Sequence, residues 1–238
     1  EGHVEIVQTL LPRADIDVNK PQKDGSTPLY IASQNGHVQI VQTLLTRDDI
    51  DMNKPRTTDG STPLYVATYE GHVQIVQTLL TRDDIDVNKP GTADGVTPLY
   101  YASEKGHVQI VQTLLTRDDI DVNKPHEDGR TPLWKASSKG HVQIVQTLLT
   151  RDDVDVNKPQ TTTGCTPLYQ AAQEGHVQIV QTLLTKDDID VNKPEEDGCT
   201  PLWMASQEGH VQIVQTLLTR DDIDVNKPQK DGVTPLYM

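Results

Sequence analysis

The amino-acid sequence repeats itself every 34 or 35 residues along its whole length. One marker, the dipeptide Gly-His, occurs seven times, and its histidines are His3, His37, His72, His107, His141, His176 and His210. A second marker, Gly-x-Thr-Pro-Leu, also occurs seven times and advances in step with the first. A period of this length is typical of repeat proteins, in which each repeat contacts only its neighbours. We therefore expect a stack of small, similar units rather than a globule with one core.

Residues 24–55 show what one unit contains. A tight-turn signal, Asp24-Gly25, comes first, and Thr27 then caps a helix that has Pro28 at its first position. Gly36 ends this first helix in the left-handed conformation. Apolar residues then recur at spacings of three, four and seven, which predicts a second helix with one apolar face. The following arm alternates apolar and polar residues up to Pro55, which favours an extended segment or loop.

The two predicted helices are too short to be stable alone. Isolated helices become marginally stable only at ~12–15 residues, and each of these also exposes an apolar face. Only 34% of the residues are hydrophobic and none is Phe, so one deep core would be hard to fill. Stacking identical units buries the apolar faces in many thin layers, and the interfaces between neighbouring units then set the stability.

In one-letter code the repeats follow the pattern D-G-x-T-P-L-x-x-A-x-x-x-G-H-x-x-I-V-x-x-L-L, with D-V-N after it. This pattern resembles the ankyrin repeat. The resemblance implies an all-α repeat solenoid of stacked helix-turn-helix ankyrin repeats with β-hairpin or loop arms. It also implies that the arms and first helices line a concave face and that the second helices form the convex back.

The resemblance covers the whole chain, so we expect a single ankyrin repeat domain over residues 1–238, with about seven units. The first unit begins at a second helix, and the last stops inside a first helix. Neither resembles a polar capping repeat, so we expect a piece of a longer array. One departure from the family is an aromatic residue after Thr-Pro-Leu where His is usual, at Tyr30, Tyr65, Tyr100, Trp134, Tyr169, Trp203 and Tyr237.

The repeats differ from one another at only three places. The second helix and the arm are nearly constant, whereas the arm tips, the residue before Thr-Pro-Leu and the outward positions of the first helix vary. By resemblance, all three variable sets lie on the concave face and the hairpin edge. We predict that this face binds a partner protein, because the exposed Gln39 and Gln42 positions of the second helix do not vary. The alternative is that exposed positions simply drift.

The predicted partner-binding site centres on one position of three successive first helices. Ile31, Val66 and Tyr101 occupy that position and are expected to form an apolar strip, with Tyr69 beside it. Aromatic residues dominate the binding energy of protein interfaces. The cations expected around the strip are Lys105, Arg130, Lys135 and, from an arm tip, Arg56. The alternative is that Ile31 and Val66 only complete the core.

Two repeated patterns resemble metal sites, but their spacing or their residues do not fit a bound metal ion. The histidines of neighbouring repeats should be ~8–10 Å apart, too far to share a zinc ion that needs ligands at ~2.0–2.1 Å. Asp49, Asp51 and Asn53 resemble the start of a calcium loop, but Lys54 and Gly60 stand where that loop needs Gly and Glu. We therefore predict no metal and no other cofactor.

The remaining composition narrows the class of function. No catalytic triad, phosphate loop or Cys-His pair stands out, so we predict that this chain is not an enzyme. A net charge of −14 argues against nucleic-acid and anionic membrane partners. Cys165 and Cys199 are expected to remain free thiols, and with no visible signal peptide this favours a cytoplasmic location. The alternative to partner binding is a structural spacer whose copies associate end to end or form filaments.

Overall fold

The computed structural model describes residues 2–237 and divides into two compact units, Glu1–Asp121 and Val122–Met238. Every regular element within residues 2–237 is helical. The first unit contains α1 (Val4–Leu10), α2 (Pro28–Gln34), α3 (Val38–Leu44), α4 (Pro63–Tyr69), α5 (Val73–Leu79), α6 (Pro98–Lys105) and α7 (Val108–Leu114). The second unit contains α8 (Pro132–Lys139), α9 (Val142–Leu148), α10 (Pro167–Gln173), α11 (Val177–Leu183), α12 (Pro201–Gln207), α13 (Val211–Leu217) and a 3₁₀ turn, Pro235–Tyr237.

The helices of each unit stack in two layers. In the first unit α4 packs against both α2 and α6, while α3 and α5 continue a second layer from α1 to α7. In the second unit α10 packs against α8 and α12, and α11 lies between α9 and α13. Each first helix also packs on the second helix of its own repeat. This arrangement confirms the prediction of stacked helix-turn-helix repeats.

Local sequence signals set the ends of the helices as predicted. The Thr27 hydroxyl accepts a hydrogen bond from the backbone N–H of Tyr30 at 3.1 Å, and Pro28 is the first helical residue. The same cap begins α4, α6, α8, α10 and α12. Gly36 has a φ of 76°, which lets the chain turn sharply into the second helix.

The apolar stripe of the second helix forms the core of each repeat. In α3 the side chains of Ile40, Val41 and Leu44 are buried, as the spacing predicts, and Leu29 of α2 is fully buried against them. The matching residues of α5, α7, α9 and α11 are buried as well. Stability therefore comes from many similar layers of Leu, Ile and Val.

The arms are loops that an asparagine connects to the next arm. Asn53 donates its side-chain amide to the carbonyl of Asp84 at 2.7 Å and accepts the backbone N–H of Asp86 at 2.8 Å. The same pair of bonds recurs at Asn19, Asn88, Asn123, Asn157 and Asn192. Each asparagine therefore satisfies two backbone groups of the next arm, and no arm forms a β-strand within residues 2–237.

Basic side chains form contacts in the opposite direction, from one repeat back to the preceding one. The Lys89 ammonium donates to the carbonyl of Asn53 at 2.9 Å. His72 opens α5, and its Nε2 atom lies 3.0 Å from the carbonyl of Gln34 at the end of α2. His176 and His210 form the same contact with the preceding repeat, so the recurring Gly-His dipeptide marks a contact between repeats.

Candidate functional site

The aromatic residue after Thr-Pro-Leu lies between repeats. Tyr30 is buried, and its hydroxyl lies 3.0 Å from the Ser61 hydroxyl of the next repeat. In the second unit the indole N–H of Trp134 donates to the carbonyl of Cys165 at 2.9 Å. The buried rings of Tyr30 and Trp134, each with a satisfied polar tip, therefore have a structural role at the contact between repeats.

Five of the seven residues of one variable set lie in the core, and placing those five on the partner-binding face was wrong. The residue before Thr-Pro-Leu is buried at Ser26, Ser61, Val96, Cys165 and Cys199. Val96 packs against Tyr65 and Tyr100, while Cys165 and Cys199 pack with Tyr169. These residues vary at an internal contact between repeats, not on a free surface.

Three tyrosines of α4 and α6, Tyr65, Tyr69 and Tyr101, form a tyrosine cluster. The rings of Tyr69 and Tyr101 are stacked, with centroids 4.9 Å apart and planes 23° apart. The Tyr65 ring lies beneath both, 5.9 Å from Tyr101 and 6.5 Å from Tyr69. Tyr65 is buried, whereas Tyr69 is 51% exposed. The cluster is thus a rigid aromatic surface that rests on the core.

A tyrosine cavity of about 290 Å³ adjoins this cluster. Its walls include Tyr65, Tyr69, Glu70, Arg56 and Asp59. The Arg56 guanidinium forms an ion pair with the Asp59 carboxylate and also lies 5.0 Å from the centroid of the Tyr30 ring. The cavity therefore combines aromatic faces, an ion pair and the Glu70 carboxylate.

The surroundings shift the pKa values of these groups. Burial, and after it the neighbouring Tyr69 and nearby carboxylates, raises the pKa of Tyr101 to about 12. Burial also raises the pKa of Tyr65 well above that of an ordinary phenol. The hydrogen bond from Arg56 holds the pKa of Asp59 well below its usual range. At neutral pH Tyr65 and Tyr101 are therefore neutral and Asp59 is charged.

The structure brings some of the predicted site residues together. Tyr69 and Tyr101 are in contact, and the Lys105 ammonium lies 5.4 Å from the centroid of the Tyr101 ring. Val66 is only 4% exposed, which favours the core alternative for that residue. Ile31 is half-buried and lines a different cavity, so the continuous apolar strip is not formed.

The other two predicted cations, Lys135 and Arg130, lie in the second unit. Lys135 is 9% exposed, so its side chain is largely covered by neighbouring residues. The Arg130 guanidinium lies 5.5 Å from the centroid of the Trp134 ring and forms an ion pair with Asp128. Arg130 thus lies over the ring of its own repeat, whereas Arg56 lies over the ring of the preceding repeat.

Sequence reasoning missed three residues of this site: Tyr65, Glu70 and Gly91. A Cβ atom on Gly91 would lie 2.0 Å from Cγ of Tyr65, so a glycine at this arm tip makes room for the ring. The signal in the sequence is the tip itself, because Gly91 stands where the preceding repeat has Arg56.

The groups that suggested metal sites are engaged in protein contacts. The Arg47 guanidinium pairs with Asp49, and the Asp51 carboxylate accepts the backbone N–H of Asn53 at 3.0 Å. Across the described part of the chain no three His, Cys, Asp or Glu side chains are grouped as metal ligands would be. The Cys165 and Cys199 thiols are free and buried, and burial, followed by a hydrogen bond with the Glu195 carboxylate, raises the pKa of Cys199 to about 12.

The repeats, their caps and the contacts between them define a helical repeat protein that carries an aromatic surface on its first helices. A family model described as ankyrin repeats in three copies matches residues 1–91, 48–126, 86–160, 119–195 and 153–231. The chain belongs to the ankyrin repeat family. No curated protein matches its sequence. No helix within residues 2–237 combines the length and apolar character needed to cross a lipid bilayer.

Solved structures of ankyrin repeat domains share this fold. The ankyrin repeat domain of Bcl-3, a member of the IkappaB protein family, is 26% identical with a TM-score of 0.79, covering 90% of this chain and 94% of that one. An ankyrin repeat domain from Acinetobacter baumannii is 29% identical with a TM-score of 0.73, covering 81% and 96%. The ankyrin repeat protein EF0377 is 25% identical with a TM-score of 0.77, covering 87% and 100%.

Proposed function

We propose that this chain binds a partner protein through the tyrosine cluster and the arm tips beside it. Ankyrin repeat domains generally mediate protein–protein interaction and are typically not enzymes. The observation that carries the proposal is the exposed Tyr69 ring stacked on Tyr101. A large ring held on a short, capped helix loses little freedom on binding and offers both apolar area and a hydroxyl.

The surroundings of the cluster also suit an interface. Interface anchors are enriched in Tyr, Trp and Arg, with polar residues around them. Here Lys105 lies beside Tyr101, and Arg56 lines the adjoining cavity. The resemblance to ankyrin repeats predicts that first helices and arm tips share one concave face, which would present these groups to the same partner. Arg130, which lies in the second unit, stays a predicted contact with the partner protein. The cytoplasmic location of the chain also stays a prediction.

A capture experiment with matched variants tests the proposal. Replacing Tyr69 and Tyr101 by Ala should weaken partner binding about 30-fold, because truncating an interface anchor costs ~2 kcal/mol. The control is the double variant Gln39→Ala with Gln42→Ala, which changes two exposed residues of α3. Circular dichroism checks that all variants are folded. Equal recovery of the partner by the tyrosine variant and wild type would remove this site from the proposal.

End-to-end self-association is a second candidate, favoured by exposed apolar residues in α1. Ile6 is 55% and Leu10 is 45% exposed, whereas the equivalent Ile40 and Leu44 of α3 are buried by the neighbouring helices. Sedimentation velocity over a range of protein concentrations tests this candidate. It predicts association that is abolished by Ile6→Glu with Leu10→Glu and unaffected by changes in the tyrosine cluster. A chain that is monomeric at every concentration would exclude this candidate.

A further inference from the structure

Within residues 2–237, three aromatic rings have a cation of the chain itself over one face. Arg56 lies 5.0 Å from the ring centroid of Tyr30, Lys105 lies 5.4 Å from that of Tyr101, and Arg130 lies 5.5 Å from that of Trp134. A cation over an aromatic face is attracted by the electron-rich π system. Tyr69, the most exposed ring of the tyrosine cluster, has no such cation among the residues that the structure describes.

A carboxylate without a described partner adjoins this ring. Glu70 follows Tyr69 in the chain, is exposed and lines the tyrosine cavity with it. Over residues 2–237 no ion pair or side-chain hydrogen bond is formed by Glu70. The other charges of the cavity wall cancel, because Arg56 is paired with Asp59. The cavity therefore has one uncompensated negative charge, in a chain whose net charge is −14.

The size of the cavity limits what it can hold. Sites for drug-sized ligands occupy ~300–1,000 Å³, so a cavity of about 290 Å³ suits a single long side chain better than a separate cofactor. The rings of Tyr65 and Tyr69 provide flat walls, with their planes 35° apart. A planar, positively charged group fits both the shape and the charge. An acidic or phosphorylated segment would meet the Glu70 carboxylate and is disfavoured.

We propose that the tyrosine cavity binds an arginine side chain from a basic segment of the partner protein. Its guanidinium lies against the faces of Tyr65 and Tyr69, and its N–H groups pair with the Glu70 carboxylate. Arginine is favoured over lysine because the planar guanidinium stacks on rings and forms two parallel bonds to one carboxylate. The inference rests on the proposed partner-binding function and specifies the chemistry of the partner.

Synthetic peptides measure this preference without knowledge of the partner. The probes are pools of random dodecapeptides with a fixed central residue, which is arginine, lysine, citrulline, leucine or glutamate. Citrulline has nearly the shape of arginine but no charge. The arginine pool should bind the wild-type chain about tenfold more tightly than the citrulline pool, and added salt should reduce the difference because the attraction is electrostatic. Equal binding of these two pools, or no binding of any pool, would overturn the inference.

Two variants locate the effect in the cavity. Glu70→Gln and Tyr69→Leu should each remove most of the preference for arginine. Glu174→Gln is the matched control, because Glu174 occupies the same position before Gly-His but follows Gln173 and is hydrogen-bonded to Gln170. An equal effect of Glu70→Gln and Glu174→Gln would also overturn the inference.

The outcome is separable from that of the proposed function. If the Tyr69 and Tyr101 variants lose the partner but the peptide pools show no charge preference, partner binding stands and the arginine inference fails. If those variants keep the partner in full, the proposed function fails at this site whatever the peptides show.

Discussion

Replacing Asn53 by Ala is predicted to lower the free energy of unfolding by about 1–3 kcal/mol, since it removes two hydrogen bonds that each contribute about 0.5–1.5 kcal/mol. The bonds are those from the Asn53 side-chain amide to the carbonyl of Asp84, at 2.7 Å, and from the backbone N–H of Asp86 to the Asn53 side-chain oxygen, at 2.8 Å. The backbone N–H of Asn53 keeps its bond to Asp51, so the turn itself is unchanged.

The last arm of the chain offers a matched control. Asn226 ends an Asp-Val-Asn triplet where Asn53 ends Asp-Met-Asn, and its backbone N–H donates to Asp224 at 3.0 Å, as that of Asn53 donates to Asp51. The Asn226 side chain is exposed and has no partner within residues 2–237. Asn226→Ala should therefore change the free energy of unfolding by less than about 0.5 kcal/mol, as other surface substitutions do.

The assay is urea unfolding followed by far-UV circular dichroism, with both variants fitted by one nearest-neighbour model for repeats. The reasoning is supported if Asn53→Ala lowers the free energy of unfolding by at least about 1 kcal/mol more than Asn226→Ala does. This threshold is about twice the usual effect of a surface substitution. Equal losses at the two positions would show that the asparagine stabilises its own turn rather than the contact between arms.

Three further outcomes are expected. Thr62→Ala should cost about 1 kcal/mol in urea unfolding, because the hydroxyl that caps α4 by accepting the Tyr65 N–H is lost, whereas Thr62→Ser should cost much less. Gly91→Ala should lower the free energy of unfolding by about 1–3 kcal/mol, because the new Cβ atom would lie 2.0 Å from the Tyr65 ring. In a double-mutant cycle, Tyr65→Ala should remove this destabilisation. The third prediction concerns the Cys199 thiol in a Cys165→Ser background. Because folding raises the pKa of Cys199 from 9.0 to about 12, alkylation of this thiol should be on the order of a thousandfold slower in the folded than in the unfolded chain. Similar alkylation rates in the two states would contradict this prediction. The folded pKa is the higher one, so the same thiol stabilises the fold fully below pH 9.0, and that contribution is lost as pH rises from 9.0 toward about 12.

The helices and their ends follow from the sequence because their causes are local. Thr27, Pro28 and Gly36 act within a few residues, and the same signals recur in every repeat, so each repeat supports the interpretation of the others. The contact of Tyr69 with Tyr101 also follows, because equivalent positions of stacked helices are neighbours. A period and an apolar stripe are sufficient for this part of the fold.

The contacts between repeats do not follow from local sequence. Asn53 forms its bonds to residues 31 and 33 positions away, so the Asp-x-Asp-x-Asn pattern resembles an ion site until the neighbouring arm is in place. The residue before Thr-Pro-Leu looks exposed because it varies, yet it packs under an aromatic ring of the preceding repeat. Sequence variation between repeats therefore indicates an exposed position only where the neighbouring repeat does not cover that position.

The opposing directions of the inter-repeat bonds have a consequence for how such a chain can evolve. In the arms of Asn53, Asn88, Asn157 and Asn192, the asparagine amide bonds forward to the next arm and the following lysine ammonium bonds back to the preceding one, so both halves of each joint are encoded in one segment. Duplicating or deleting a whole interior copy in frame therefore leaves no polar group orphaned at the new junction. Changes in length by whole repeats are therefore expected to disturb the fold less than changes by part of a repeat.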